Sequence, residues 1–123
     1  MSKVIPTKQE LRKYFLDKRK NISNHYSQKV SNKVTKYFSS IIDNYNISVV
    51  AGFHPFRNEI NTLPLLKVFI SNGYKTCLPV TSWDDKILQF REWTPKINLV
   101  RGKYGILEPN QDCDKVEPDI LLV

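Results

Sequence analysis

The stretch from Ile47 to Leu78 constrains the fold more than any other part of the chain. Ile47–Phe53 (ISVVAGF) is short, apolar and rich in β-branched residues, and Asn44–Asn46 and His54-Pro55 bound it, so it is predicted to be a buried strand. Thr62 stands where a helix N-cap belongs, Pro64 is tolerated in the first turn, Leu65, Leu66, Val68, Phe69 and Ile70 fill the helix, and Asn72-Gly73 stops it. Tyr74–Leu78 then returns as a second strand. Strand, helix and strand in this order predict a right-handed βαβ crossover, and with it the α/β class.

Two helices are expected ahead of that unit. From Thr7 to Lys20, Thr7 and Glu10 form a capping-box pair, Leu11, Tyr14, Phe15 and Lys18 share a face, and the rest is strongly charged. The second helix opens at Ser23 and carries Val30, Val34, Tyr37, Phe38, Ile41, Ile42 and Tyr45 at three- and four-residue spacing, an amphipathic stripe that needs a partner surface. Beyond the crossover, Lys86–Glu92 alternates like an exposed strand. Asp119–Val123 (DILLV) reads as one more buried strand, of the kind found inside a parallel sheet with both faces covered. Left without a neighbour, such a strand would expose an apolar face or an unpaired edge.

At 123 residues the chain is expected to form one domain spanning residues 1–123. Its 41% hydrophobic and 25% charged residues are ordinary globular usage. A net charge of +7 favours an anionic partner, a signal diluted by the general abundance of Lys. Cys77 and Cys113 lie far apart without CxxC or Cys/His spacing, which argues against structural zinc and a disulfide framework. With no apolar signal core near Met1 and no run long enough to span a bilayer, a cytoplasmic address is expected.

Few residues carry chemistry by themselves. Lys8 and Arg12 stand four apart on the first helix, a like-charge pair that costs a few tenths of a kcal/mol, and Lys8 also faces the positive end of the helix dipole. A bound anion would relieve both penalties; a solvated basic face is the ordinary alternative. His54 and Glu59 lie between the end of a parallel strand and the next helix, where open α/β sheets bind ligands. A carboxylate flanking a helix start and a packed histidine in a turn are the plain alternatives there. Gly102–Pro109 (GKYGILEP) is neither GxGxxG nor GxxxxGK[ST] and reads as a tight connection between strands. Trp83 and Trp93 could stack on a ring ligand, although packing is the commoner use. No Ser/His/Asp order and no HExxH is present, so hydrolase chemistry has no support.

The order of these segments is itself informative: Lys8-Gln9-Glu10-Leu11-Arg12, Phe53 through Glu59-Ile60-Asn61-Thr62, Gly73–Pro79, Gly102–Pro109, and Pro118–Val123. Five short motifs in register resemble the 5-formyltetrahydrofolate cyclo-ligase (5,10-methenyltetrahydrofolate synthetase) family, with E-I-x-T and G-I-x-E-P the most specific. The resemblance implies a three-layer, Rossmann-like parallel-sheet domain of the ribose-5-phosphate isomerase and CoA-transferase kind. It implies a reaction of one-carbon metabolism in which ATP and Mg²⁺ convert 5-formyltetrahydrofolate to 5,10-methenyltetrahydrofolate. By the same resemblance Lys8 and Arg12 contact ATP phosphates, and His54 and Glu59 belong to the folate pocket. Glu108 matches the acid of G-I-x-E-P with its role open. Asn61 departs from the acidic residue frequent at its position.

The larger departure is that the family's R-L-G-x-G-x-G-x-Y-D-R phosphate loop and its Mg²⁺-binding aspartate do not follow Val123, so the sequence reads as a cyclo-ligase domain truncated at its C-terminus, with no metal ligand of its own. In the enzyme reading a separate C-terminal fragment supplies the missing loop; two further readings are an inactive remnant or split-gene fragment with no catalysis of its own, and a small basic nucleic-acid binder, which lacks any recognised motif.

Overall fold

The computed structural model describes residues 5–42, 45–56, 59–81 and 88–123. Asn44, Trp83, Lys86 and Ile87, which figure in the sequence reading, and Arg57 and Asn58 of its Phe53–Glu59 segment lie outside the described residues. Helix α1 spans Lys8–Lys20, and the Thr7 hydroxyl oxygen accepts the Glu10 amide at 3.1 Å, the first half of a capping box. Ser23 caps α2 (Asn24–Ile41) in the same way, accepting the Tyr26 amide at 3.1 Å. The apolar face expected on α1 is not buried: Leu11, Tyr14 and Phe15 are exposed and the helix has no buried side chain. Its aromatics pack locally instead. Tyr14 and Phe15 meet edge to face at 5.2 Å, and the Lys18 ammonium lies 4.6 Å from the Tyr14 ring centroid.

The crossover forms as its pattern predicts. Strand β1 (Val49–Ala51), helix α3 (Leu63–Ser71) and strand β2 (Lys75–Val80) build a parallel pair with Val49 opposite Lys75, Val50 opposite Thr76 and Ala51 opposite Cys77. Helix α3 stops where Gly73 takes a φ of +90°, a conformation that costs a residue without Cβ nothing. Leu65, Leu66 and Phe69 face inward and join Ile42 of the α2 C-cap, Val50, Leu78 and Trp93 in one core, with Phe38 of α2 packed against it. Truncating any of the three α3 residues to Ala would cost about 2–5 kcal/mol, because each would leave a cavity in a closed cluster.

The sheet is parallel at its centre but mixed, with strand order β3-β2-β1-β6. The expected α/β class and parallel central pair are present, and strand β3 (Gln89–Glu92) adds an antiparallel neighbour on β2. The connection is too short for a crossover, and a chain that pairs with the strand just left must return antiparallel. Trp93, just past β3, is a packing residue: its amide donates to the Thr76 carbonyl at 2.8 Å and the Thr76 hydroxyl donates to the Trp93 carbonyl at 2.7 Å. A separate hairpin, β4 (Leu99–Arg101) and β5 (Leu107–Pro109), leans on β2 through β5.

Strand β6 (Ile120–Leu121) pairs parallel with β1 alone and stands at the end of the described sheet. The expected buried strand over Asp119–Val123 is therefore a two-residue edge, with Leu121 46% exposed. A strand with one neighbour leaves its other backbone edge unpaired and its side chains flanked on one side only, so an apolar run alone does not ensure burial. Among the described residues no helix is long and apolar enough to cross a membrane.

Asp119 staples this edge to the centre. One carboxylate oxygen accepts both the Ser48 and Val49 amides at 2.9 Å, and its own amide donates to the Val49 carbonyl. These amides, Ser48 first, hold its carboxyl below the usual aspartate range. A depressed folded-state pKa contributes stability above the unfolded value of about 3.9 and loses it as pH falls through the folded value. Asp119→Asn is accordingly expected to lower the melting temperature at neutral pH and to flatten the acid limb of the stability profile, as read by thermal melts across the acidic range.

Candidate functional site

The loop leaving the carboxyl end of β1 is tied down by hydrogen bonds rather than by packing alone. The Thr62 hydroxyl donates to the Phe53 carbonyl at 2.7 Å and accepts the Phe53 amide at 3.2 Å, tying the two ends of the loop together in an arch. This corrects the reading of Thr62 as a side-chain cap. It occupies the N-cap position of α3 without capping, and Asn61 accepts the Leu63 amide at 3.0 Å instead. Asn61 thus supplies the acceptor that an acidic residue would supply there. The buried hydroxyl of Ser31, on α2, donates to the Asn61 carbonyl and anchors the arch from below.

Within the arch Glu59 uses both carboxylate oxygens. Oε1 accepts the Phe56 amide at 3.0 Å, and Oε2 lies 3.7 Å from Nη1 of Arg19, with 38% and 32% of the two side chains exposed. His54 is half-buried in the same arch, its Nδ1 at 3.2 Å from the Pro55 carbonyl. With a proton on Nδ1 the ring donates to that carbonyl and leaves Nε2 as an acceptor.

Lys8 and Arg12 are exposed on α1. A helix advances about 100° per residue, so Lys8, Arg12, Phe15 and Arg19 share one stripe. Arg19 is the residue the sequence reading missed: in a run of three terminal cations it looks like dipole compensation, and its only distinguishing signal is a spacing of seven from Arg12. Tertiary structure turns that stripe into a connection between the helix of Lys8 and Arg12 and the arch of Glu59.

Glu108, whose role the sequence left open, is 8% exposed and faces the end of β2. Its Oε2 accepts both the Thr81 amide at 2.9 Å and the Thr81 hydroxyl at 3.0 Å, and that hydroxyl in turn accepts the Lys103 amide at 3.0 Å. The carboxylate therefore latches the β4–β5 turn to the carboxyl end of β2, beside the strand from which the arch departs. Gly102 makes the close approach possible, since a Cβ there would fall 2.3 Å from Glu108 Oε2. Gly102→Ala is expected to destabilise the chain by about 1–3 kcal/mol through this clash, measured as a lower denaturation midpoint at unchanged m-value.

Comparison with known proteins fits this geometry. The sequence profile of the 5-formyltetrahydrofolate cyclo-ligase family matches residues 4–122. No curated protein matches the sequence. The NMR structure of Aquifex aeolicus 5,10-methenyltetrahydrofolate synthetase superposes with a TM-score of 0.74 at 26% identity, covering 94% of this chain and 59% of that one. The Mycoplasma pneumoniae 5,10-methenyltetrahydrofolate synthetase superposes with a TM-score of 0.68 at 18% identity, covering 96% of this chain and 63% of that one, a likeness of fold. The chain thus spans less than two thirds of either relative's length. The five motifs in register, the α/β fold they implied and a profile that runs almost from end to end agree: the chain belongs to the 5-formyltetrahydrofolate cyclo-ligase family.

Proposed function

We propose that this cytoplasmic protein takes part in the ATP-dependent cyclisation of 5-formyltetrahydrofolate to 5,10-methenyltetrahydrofolate. The observation that carries the reading, beyond family membership, is the stripe on α1 that joins the Lys8 and Arg12 positions to the Glu59 arch through Arg19. Lys8 and Arg12 hold the ATP phosphates, and neutralising that charge is the larger part of phosphoryl-transfer work. Glu59 accepts N–H groups of the folate heterocycle, and His54 lines the same pocket with a ring nitrogen open to either role. In the reaction the formyl oxygen bonds to the γ-phosphorus as ADP leaves. N10 then attacks the formyl carbon and gives up its proton, and the C–O bond breaks to release phosphate.

Among the described residues no three His, Cys, Asp or Glu side chains gather as ligands for an ion, so no residue of this chain is assigned to Mg²⁺ and no step is routed through it. Polypeptide outside these 123 residues that completes the sheet at β6 is part of the proposal. An apolar cleft of about 370 Å³ beside that open edge, lined by Val34, Phe38, Phe53, Leu65 and Leu121 among others, supports it.

The test is ATP-dependent formation of 5,10-methenyltetrahydrofolate by the purified chain, alongside direct ATP binding. Lys8→Ala/Arg12→Ala is expected to weaken ATP binding by roughly 10- to 100-fold, since each contact is a charge-assisted hydrogen bond, while circular dichroism stays unchanged. Unaltered ATP affinity in that variant would overturn the assignment. Ligand binding without turnover would place the chemistry in polypeptide outside these 123 residues.

A further inference from the structure

We infer that Arg19 is a positioning residue: it fixes the orientation of the Glu59 carboxylate and so sets the folate acid at a defined distance from the phosphate-binding cations of the same helix. The inference rests on the folate reading of Glu59 given above and adds a residue to it. Of the two Glu59 oxygens, Oε1 is held by the Phe56 amide within the arch, a bond that leaves the carboxylate plane able to turn. The second oxygen faces Arg19 Nη1 at 3.7 Å, a restraint that comes from another element of the fold.

The donor is suited to the task. Arg19 lies in the last turn of α1, where the dipole favours a cation, and its guanidinium is planar, with several donors in a fixed fork. Both side chains are about a third exposed, so the direct energetic worth of the pair is small and its effect lies in direction. Arg19 shares its stripe with Lys8 and Arg12, and the helix is rigid between them. A rise of 1.5 Å per residue places Arg12 and Arg19 roughly 10 Å apart along the axis. One helix therefore sets the spacing between a nucleotide held by Lys8 and Arg12 and a heterocycle held by Glu59. A displacement of an ångström between two reactants is costly in a reaction that depends on alignment.

The experiment is a double-mutant cycle on binding, with 5-formyltetrahydrofolate and ADP titrated separately into the unsubstituted chain and into Arg19→Met, Arg19→Lys, Glu59→Gln and Arg19→Met/Glu59→Gln. Arg19→Met is expected to weaken 5-formyltetrahydrofolate binding about fivefold with ADP affinity kept within about twofold, and Arg19→Lys to recover part of the loss. In the Glu59→Gln background the Arg19→Met change should add nothing, because its effect passes through the carboxylate. A residue that only supports the fold would lower both affinities together and add its effect in either background. The inference is overturned if the unsubstituted chain binds 5-formyltetrahydrofolate and Arg19→Met binds it equally well, or if the two substitutions add. A chain that binds ADP and not 5-formyltetrahydrofolate would instead remove the folate reading itself, and this inference with it.

Discussion

Burial of α3 between β1, β2 and α2 is the constraint on which the rest of this chain depends. Leu65, Leu66 and Phe69 lie on one side of a nine-residue helix and meet Val50 and Leu78 from the two parallel strands and Ile42 from the end of α2. No short helix or three-residue strand is stable in isolation, so these elements exist because each closes the same apolar volume. Two loop anchors leave this core at one end: the arch follows β1 and the Glu108 latch seizes the end of β2.

The arrangement of that end follows from how parallel strands work. Neighbouring parallel strands release their loops at the same edge of the sheet, so residues distant in sequence become neighbours there. Two short polar anchors then tie described loop residues to one another there. Thr62 ties both backbone groups of Phe53, and Glu108 ties Thr81 while Thr81 ties Lys103. Both anchors are buried polar side chains. Each satisfies backbone groups that would otherwise need water, which explains why an acid and a threonine stand where apolar residues would pack as well.

Helix α1 plays a different part. It contributes no buried side chain, Tyr14 and Phe15 pair with each other, and Arg19 reaches Glu59 across the fold. An element attached in this way adds little to stability but carries charge to a chosen place. The stripe it carries, Lys8, Arg12 and Arg19, is wholly cationic in its charged members.

The sequence by itself determined the local elements and the family. Capping hydroxyls at Thr7 and Ser23, the β-branched run before His54 and the Asn72-Gly73 stop are decided by contacts within a few residues, so periodicity and side-chain chemistry announce them. The tertiary structure alone decided who meets whom across long separations. Whether Thr62 caps its helix or ties Phe53, whether Glu108 is a ligand or a latch, and whether Arg19 compensates a dipole or grips Glu59 depends on partners 9, 27 and 40 positions away. The same holds for β6, whose apolar run is indistinguishable in sequence from a central strand: burial is a property of the neighbours on either side, and a strand's own residues do not encode how many it has.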